Sequence, residues 1–490
     1  PDAAPFHDWN ERIHAECYRP NGRVSFIDER TGEKRIVNNY THLSFNFGPT
    51  LLTWLERTHP DTYARIIAAD AESSRRRSGH GNAIAQAYSH AILPLCNEPD
   101  RVTQVRWGLA DFRYRFAREA ESMWLPETAC NDDVLDLLID EGMRYVILAP
   151  QQARRLRGIS ETEWRDVSSG KINTGYSYQY RHRQDPTRSI AVFFYDQQLA
   201  GAIAFDRLLA SSGELAQRFI QSLRGDGLVN VATDGESYGH HFKFGDLCLA
   251  HAFEIELPAN GLRATNYGEY LEHHSPVAEV EMEHNADGQG SSWSCIHGVG
   301  RWIRDCGCHT GGEAGWNQAW RGPLRAALDL VRDEAAAFFD ATRSRLFIDP
   351  WAARNDAIEL ILDSSLTTSF LKRHAPSALG PRDTERALMF LEMERNTILM
   401  YASCGWFFND ISRIEPVQVL KYAARAIDLM DQLALTFPKK RFLEILSAAR
   451  SNKPELGNGA DIYRRCVETA NPASQSVDMG ANEVWVSDAT

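Results

Sequence analysis

Long apolar runs are missing from this sequence of 490 residues, and their absence argues against a transmembrane protein. No run reaches the roughly 18 apolar residues that mark a candidate spanning helix. The first residues also lack the basic start and apolar core of a secretory signal peptide. We therefore expect no membrane partner.

Basic residues are the second shortage: 53 Lys and Arg stand against 66 Asp and Glu, for a formal net charge of −13. A protein that binds a phosphate backbone needs a dense basic patch. The short basic run Arg75–Arg77 follows acidic residues, which is typical of a solvated helix face. The charge therefore predicts no nucleic-acid partner.

Regularly spaced cysteine pairs are also missing. The nine cysteines are odd in number and scattered between Cys17 and Cys466, which is not the pattern of a disulfide framework. A reducing compartment fits this pattern. Since no signal peptide is visible, we expect a cytoplasmic protein.

What the sequence does contain is two halves of different character. From about residue 40 to 310, short apolar runs such as Tyr145–Ala149, Ser189–Tyr195 and Leu228–Thr233 alternate with helical patterns. This alternation predicts parallel strands in an α/β layered fold or barrel. After about residue 323 the strand signals fade, and an apolar helical stripe follows Pro416. We expect an α-helical bundle there.

The first candidate catalytic group is Glu127, which closes the segment Met123–Glu127. An apolar run leads into Pro126, and the carboxylate follows immediately. In β/α barrels the strand ends carry the catalytic groups. The alternative is that Glu127 only caps the helix predicted to start near Asn131.

The second candidate is Asp234, which follows the apolar run Leu228–Thr233 and precedes Glu236, His240 and His241. A strand-end Asp beside such a polar cluster is a candidate site residue, because neighbouring groups shift its pKa. The alternative is a surface turn whose acidic groups cap the next helix.

Two carboxylates on separate strand ends suit the cleavage of a glycosidic bond. One attacks the anomeric carbon, while the other protonates the leaving oxygen and then activates water. The acid needs a raised pKa, which partial burial or a neighbouring charge such as that of Glu236 can supply.

Both motifs resemble those of glycoside hydrolase family 57, a group of α-amylases, 4-α-glucanotransferases, amylopullulanases and glycogen-branching enzymes. Trp-Leu-Pro-Glu at 124–127 is similar to the family's nucleophile motif, and Thr-Asp-Gly-Glu at 233–236 is similar to the segment of its catalytic Asp. The resemblance implies Glu127 as nucleophile, Asp234 as acid/base and Trp124 as a sugar platform.

Further segments resemble bacterial members of this family with an uncharacterised helical C-terminal domain; they include Gly79–Gln86, Ser291–Cys295 and Ser403–Phe408. The resemblance implies a distorted (β/α)7-type barrel over 1–320 and an α-helical domain over 321–490. It also implies retaining cleavage or transfer in an α-glucan or oligosaccharide, with no cofactor and no metal.

Further substrate-binding candidates surround these motifs. We expect Glu236, His240 and His241 to contact substrate. His80 is another candidate, although a buried histidine that satisfies internal hydrogen bonds is the alternative.

A segment rich in Trp, His and Cys spans 293–309. We expect it to line the site through Trp293, His297 and Trp302, with structural cysteines. Zinc is the alternative, because Cys-x-Cys-His resembles a ligand set, although the usual Cys-x₂-Cys pairs are absent. The cysteines concerned are Cys295, Cys306 and Cys308.

Two other functions stay open. One is a metal-dependent hydrolase similar to polysaccharide deacetylases, with Asp234, His240 and His241 as metal ligands. The other is a protein that binds glucan without turnover, which the presence of both carboxylates disfavours.

Overall fold

The computed structural model describes residues 3–225 and 227–468. Packing groups this part of the chain into two compact units. The first unit comprises 3–86 and 115–284, and the second comprises 87–114 and 285–468. These units interleave along the chain, whereas the sequence suggested one boundary after residue 320, which stays a prediction.

The first unit carries all the strands of the described residues. They are β1 (Val24–Ile27), β2 (Lys34–Val37), β3 (Ala85–Gln86), β4 (Met123–Trp124), β5 (Tyr145–Leu148), β6 (Ala153–Gly158), β7 (Arg165–Asp166), β8 (Ser177–Arg181), β9 (Ser189–Phe194) and β10 (Ala278–Met282).

The α-helices of this unit lie mainly between the strands in sequence. They are Trp9–Ile13, Arg19–Asn21, Pro49–Thr58, Pro60–Arg76, Asp132–Asp140, Gln197–Phe205, Ser212–Ser222, Gly245–His251, Leu257–Ala259 and Tyr267–His273.

Successive segments of the first unit run parallel, as a β/α barrel requires. Phe45 bridges Ala83, β3 pairs with β4, Ser122 bridges Tyr145, and β5 pairs with β9, each time in parallel. Every residue of β5 is buried, which agrees with an apolar run covered on both faces. The predicted parallel pairing of the runs at 145–149 and 189–195 is confirmed.

The prediction of a third strand at 228–233 is wrong, because this segment forms no regular ladder of hydrogen bonds with another strand. The second edge of β9 is already occupied by β8, which pairs with it antiparallel along 189–193. Only the end of β9 remains accessible. There Asp196 donates its backbone N–H to the Asn230 carbonyl at 2.8 Å, so the segment extends past the strand end instead of joining the sheet.

The larger sheet is mixed, with the order β5-β9-β8-β10-β6-β7. Strand β10 runs parallel to β8 and antiparallel to β6, and β7 closes the edge antiparallel to β6. β1 and β2 form a separate antiparallel pair. Glu127 follows the carboxyl end of β4, and the segment that leads to Asp234 passes the carboxyl end of β9; both strands belong to parallel pairs of the unit.

The regular elements in the described residues of the second unit are helices, joined by loops such as 285–299. Its α-helices are Glu98–Phe116 (which belongs to it up to residue 114), Arg321–Asp340, Pro350–Asp356, Ile358–Leu362, Thr367–His374, Pro381–Leu399, Cys404–Phe407, Ile414–Gln432, Lys439–Ser447 and Gly459–Tyr463.

The predicted helical C-terminal half is confirmed by the core of this unit. Helix Ile414–Gln432 begins two residues before Pro416 and buries the predicted stripe. Helix Arg321–Asp340 buries one residue per turn or more, from Leu324 to Phe339. Spacings of three and four residues place these side chains on one face, so both helices pack through an apolar stripe.

Candidate active site

Glu127 lies on a tight turn just after β4. Its backbone adopts φ 58° and ψ 21°, and Thr128 follows with φ 48°. Residues other than glycine enter this left-handed region at a cost, and such outliers concentrate at functional sites. Glu127 is partly exposed, whereas Pro126 and Thr128 are buried. The turn therefore presents the carboxylate while its flanks are anchored.

Gln152 holds this turn in place. It accepts hydrogen bonds from Thr128 Oγ1 at 2.8 Å and from the Ala149 backbone N–H at 2.9 Å, and it donates to the Thr128 carbonyl at 2.8 Å. Both Thr128 and Gln152 have no accessible surface. Buried hydrogen bonds of this kind are costly to leave unmade, so they fix the backbone that carries Glu127.

Glu127 is not the cap of the following helix, so the alternative interpretation is wrong. Helix Asp132–Asp140 is capped by Asn131, whose side chain accepts from the Val134 backbone N–H at 3.1 Å. This is the N-cap predicted from the sequence. Capping of this helix is therefore a role of Asn131.

Asp234 is positioned by the extended segment 228–233. Val229 and Val231 pack against the apolar cluster around Leu199 and Leu215. Between them, Asn230 donates its side-chain amide to the Thr174 carbonyl at 3.0 Å and to the Phe194 carbonyl at 3.3 Å. Alternate residues thus anchor the segment, which delivers Asp234 just beyond the end of β9.

The Asp234 carboxyl has a raised pKa of about 6. Burial is the largest cause, followed by the charges of Glu236 and Glu127. The residue itself is exposed, so many protein atoms lie around its carboxyl while solvent still reaches it. Burial and like charges both favour the neutral carboxylic acid, which is the form a general acid needs.

Tyr195 is a neighbour of Asp234 that the sequence reading did not single out. Its ring is 5% exposed. Burial and then the charge of Asp234 raise the pKa of Tyr195, so the phenol stays protonated near the carboxyl. Its position as the last residue of a predicted strand is the signal that could have identified it.

The turn after Asp234 packs on an N-terminal segment, residues 14–21. Tyr18 donates to Glu236 Oε1 at 2.6 Å, and Asn21 donates to the Tyr238 carbonyl at 2.7 Å. At Gly239, with φ 144°, an added Cβ would lie 2.2 Å from the Glu16 carbonyl oxygen. Only glycine allows this close approach. No local sequence pattern predicts contacts between segments so distant in the chain.

His240 and His241 take different positions. His240 Nδ1 lies 2.5 Å from Glu16 Oε2, and its ring meets Trp9 edge-on with centroids 6.1 Å apart. His241 is exposed. Within the described residues, these two histidines and Asp234 do not bring ligand atoms to within 4.8 Å of one another. This spacing disfavours the metal-dependent deacetylase alternative.

Trp124 ends β4, where its backbone is in register with Gln86, and its side chain is half-buried. His80 is 5% exposed and lies between two acids. Its Nδ1 is 2.9 Å from both carboxylate oxygens of Glu121, and its Nε2 is 2.9 Å from Glu272 Oε1. Burial opposes the charge of His80, but the two carboxylates outweigh it and raise its pKa. His80 thus has the internal partners of the alternative interpretation, and its contact with substrate stays a prediction.

The predicted contact of Trp302 with substrate is wrong. It has no accessible surface, and its indole N–H donates to the Ser403 carbonyl at 3.2 Å inside the second unit. A fully buried ring cannot stack on a sugar. Trp293 is half-buried and His297 is exposed, both in the second unit. Their contact with substrate stays a prediction.

Cys295, His297, Cys306 and Cys308 come together in the second unit, each with one ligand atom within 4.8 Å of the others. The sequence left these cysteines as structural, with zinc as the alternative. All nine cysteines lie in the described part of the chain, and none forms a disulfide there. Among the described residues, no helix is both long enough and apolar enough to cross a membrane.

Family models match two regions of the chain. The model described as glycosyl hydrolase family 57 matches residues 6–283, more than half of the sequence. A second model, described as a domain of unknown function (DUF3536), matches residues 316–482. The first match contains both candidate carboxylates, and the second covers the described helices from Arg321–Asp340 onward.

Curated relatives are similar over part of their length. The 4-alpha-glucanotransferase of Thermococcus litoralis is 22% identical over 293 residues, or 56% of this chain and 40% of that protein. Alpha-amylase 1 of Dictyoglomus thermophilum is 26% identical over 141 residues, or 27% of this chain and 19% of that protein. The alignments thus span less than half of each relative.

A solved structure is similar over most of the chain. The exo-type maltose-forming amylase of Pyrococcus sp. ST04 matches with a TM-score of 0.63 and 14% identity, covering 94% of this chain and 84% of that one. At this identity the match concerns the fold alone. It confirms the predicted fold class, a distorted (β/α)7-type barrel followed by helices. Together with the family-model match over residues 6–283, it leads to one conclusion: the chain belongs to glycosyl hydrolase family 57.

Proposed function

We propose that this chain cleaves or transfers α-glucosidic bonds of an α-glucan by a retaining double displacement, with Glu127 as nucleophile and Asp234 as acid/base. The observation that supports this most is electrostatic: the charge of Glu127 contributes to the raised pKa of Asp234. Glycoside cleavage needs two carboxyl groups, one of them held protonated as the acid, and here one follows β4 and the other lies beyond the end of β9.

In the first step, a Glu127 carboxylate oxygen attacks the anomeric carbon and the bond to the leaving oxygen breaks. Asp234 gives its proton to that oxygen. In the second step, water or a sugar hydroxyl attacks the anomeric carbon, Asp234 takes a proton, and the ester bond to Glu127 breaks. Two inversions give net retention of configuration.

The coupling of the two carboxyls also accounts for how Asp234 changes role. While Glu127 is ionised, its charge helps to keep Asp234 protonated, as the acid step needs. Esterification of Glu127 removes that charge, so the pKa of Asp234 falls and the carboxylate can accept a proton. Burial and the charge of Glu236 still hold the pKa of Asp234 above its ordinary value.

The substrate class is proposed from the relatives. Their names, α-amylase and 4-α-glucanotransferase, belong to those proteins, and α-glucan is the substrate class that such names share. Trp124 is the proposed sugar platform, since a half-buried indole at the end of β4 offers a face close in sequence to Glu127. Glu236, His240 and His241 are proposed to contact substrate beside Asp234.

We also propose a cytoplasmic location for the protein.

Glu127→Gln tests the proposal, because the amide keeps the shape of the side chain but cannot form the glycosyl ester. Purified wild-type protein is incubated with a panel of α-glucans, and released or transferred sugars are quantified. We expect products from the wild type, with the α-anomer formed first by NMR, and none from the variant. The matched control is Glu119→Gln, at an exposed glutamate of the same unit, which should behave as the wild type.

Two outcomes would contradict the proposal. Full activity of Glu127→Gln would remove the nucleophile, and a first-formed β-anomer would remove the retaining mechanism. Binding of α-glucan by the wild type without products from any member of the panel would instead support the non-catalytic glucan-binding function.

A further inference from the structure

The segment 295–308 of the second unit brings three thiols and one imidazole to a common point. We propose that Cys295, His297, Cys306 and Cys308 bind one zinc ion in a structural site. This goes beyond the proposed glucan chemistry, and it replaces the expectation of a metal-free chain that the sequence suggested.

The distances match a tetrahedral zinc site. Zn–S bonds of about 2.3 Å place two sulfurs about 3.8 Å apart, and a nitrogen at about 2.0–2.1 Å lies about 3.5 Å from each sulfur. Cys295 Sγ lies 3.8 Å from Cys306 Sγ and 3.7 Å from Cys308 Sγ. Cys308 Sγ lies 3.5 Å from His297 Nδ1. Three of the six edges of the ligand tetrahedron thus have the lengths of a zinc site, and the other three are within 4.8 Å.

Two turns create this arrangement. In the first, the Gly298 backbone N–H donates to the Cys295 carbonyl at 3.1 Å, which places Cys295 and His297 on one turn. In the second, Gly307 takes φ 82° between Cys306 and Cys308. Glycine adopts this left-handed conformation without strain, and the chain reverses so that both thiols face Cys295. Two short turns therefore replace the usual Cys-x₂-Cys pairs.

The charges around the cluster also point to an anionic centre. Arg321 has no accessible surface and donates to the Cys308 carbonyl at 2.8 Å. Arg301, 6% exposed, donates to the Ser294 carbonyl at 2.9 Å. Within residues 3–225 and 227–468, neither guanidinium has a carboxylate at ion-pairing distance.

Buried cations are normally paired with an opposite charge. Three thiolates, a neutral imidazole and Zn²⁺ together carry one net negative charge, which would offset half of the positive charge of these two arginines. Thiols that merely packed would be neutral, so backbone carbonyls and the charge of Asp305 alone would balance these guanidinium groups. Cys306 and Cys308 are also only half-buried, which is unusual for cysteines that serve as core side chains.

Four protein ligands leave no open coordination position, so the chemistry of the proposed site is structural. Zinc would join the two turns and hold the loop between them, which includes Trp302, in its buried position. Since soft thiolates favour zinc over the harder divalent cations, Mg²⁺ and Ca²⁺ should not replace it.

Metal analysis of the full chain tests the proposal directly. The protein is purified under reducing conditions without chelator, and its zinc is measured by mass spectrometry. We expect zinc in a one-to-one ratio to chain. After zinc removal, Co²⁺ should bind and give the ligand-field and thiolate charge-transfer bands of a tetrahedral site. Both measurements use the wild type and do not depend on glucan turnover.

Variants then assign the ligands. Cys306→Ser and Cys308→Ser should lose the zinc, while Cys404→Ser, at an exposed cysteine of the same unit, should retain it. Wild-type protein that holds no zinc and takes up neither Zn²⁺ nor Co²⁺ under reducing conditions would overturn the proposal. A Cys295–Cys306 or Cys295–Cys308 disulfide in metal-free protein would also overturn it, in favour of a redox pair. Zinc retained in both serine variants would reject these ligands.

Discussion

Tyr18 donates a hydrogen bond of 2.6 Å to Glu236, a residue 218 positions further along the chain. Burial and the neighbouring carboxylate raise the pKa of Tyr18, so it stays a donor. Glu236 in turn contributes its charge to the raised pKa of Asp234. An N-terminal tyrosine thereby fixes the position of the carboxylate that tunes the proposed acid.

Glu236→Gln should shift the pH dependence of turnover. Removing a like charge favours ionisation, so the pKa of Asp234 falls from about 6. Activity that needs the protonated acid should then be lost at lower pH, and the alkaline limb of kcat/KM should move down the pH axis. The control is Glu214→Gln, at an exposed glutamate of the same unit. An unmoved limb would show that Glu236 does not tune Asp234.

Asp234→Asn should stabilise the protein at neutral pH. In the folded chain the Asp234 pKa lies near 6, above its ordinary value of 3.8. The folded state therefore binds more protons between these values, and stability falls as pH rises through this range. Asparagine cannot ionise, so the variant avoids the free-energy cost of ionising Asp234 in the folded state. Thermal melts should show a higher Tm for the variant near pH 7.5, with the difference shrinking towards about pH 4. An equal difference at all pH values would contradict this.

Gln152→Leu should slow turnover without touching substrate. The change removes three buried hydrogen bonds that hold the Glu127 turn. A displaced nucleophile loses roughly tenfold to hundredfold in kcat, about 1.4–2.7 kcal/mol. KM and the pH profile should change little, which distinguishes positioning from acid–base chemistry. Gln151→Leu is the matched control, because the Gln151 side-chain oxygen has no hydrogen-bond partner among the described residues.

Gly239→Ala should destabilise the first unit. The added Cβ would lie 2.2 Å from the Glu16 carbonyl oxygen, which is backbone and cannot rotate away. Overpacking of this kind costs about 1–3 kcal/mol. The matched control is Gly235→Ala, where an added Cβ meets nothing within 4 Å. Denaturant unfolding gives the midpoint of each variant. Equal midpoints would show that the backbone at Glu16 moves away from residue 239 without loss of stability.

Local patterns predicted the elements best. The apolar runs at β5 and β9 and the N-cap at Asn131 are properties of neighbouring residues, and the structure has them as expected. The segment 228–233 has the same local signal, yet it is no strand because β8 occupies the edge of β9 that it would need. Competition for a strand edge is a tertiary effect that no local pattern records.

The surroundings of the site were less predictable for the same reason. Tyr18 contacts Glu236 across 218 positions, and Gln152 anchors Glu127 from another loop. Nothing near Tyr18 in the chain indicates such a partner. The sequence predicts that Trp302 lines the site with Trp293 and His297, although folding encloses it completely. Side-chain chemistry identified the carboxylates, but burial had to come from the structure.

Glu127 keeps a backbone conformation, φ 58° and ψ 21°, that glycine would adopt more easily. Conformations of this kind cost a glutamate about 1–2 kcal/mol. Folding alone would therefore select against glutamate at this position. In a library selected only for resistance to heat, glycine should accumulate at position 127, while selection for growth on glucan should retain the acid. The backbone at one residue thus distinguishes what the chain needs in order to fold from what it needs in order to be useful to its cell.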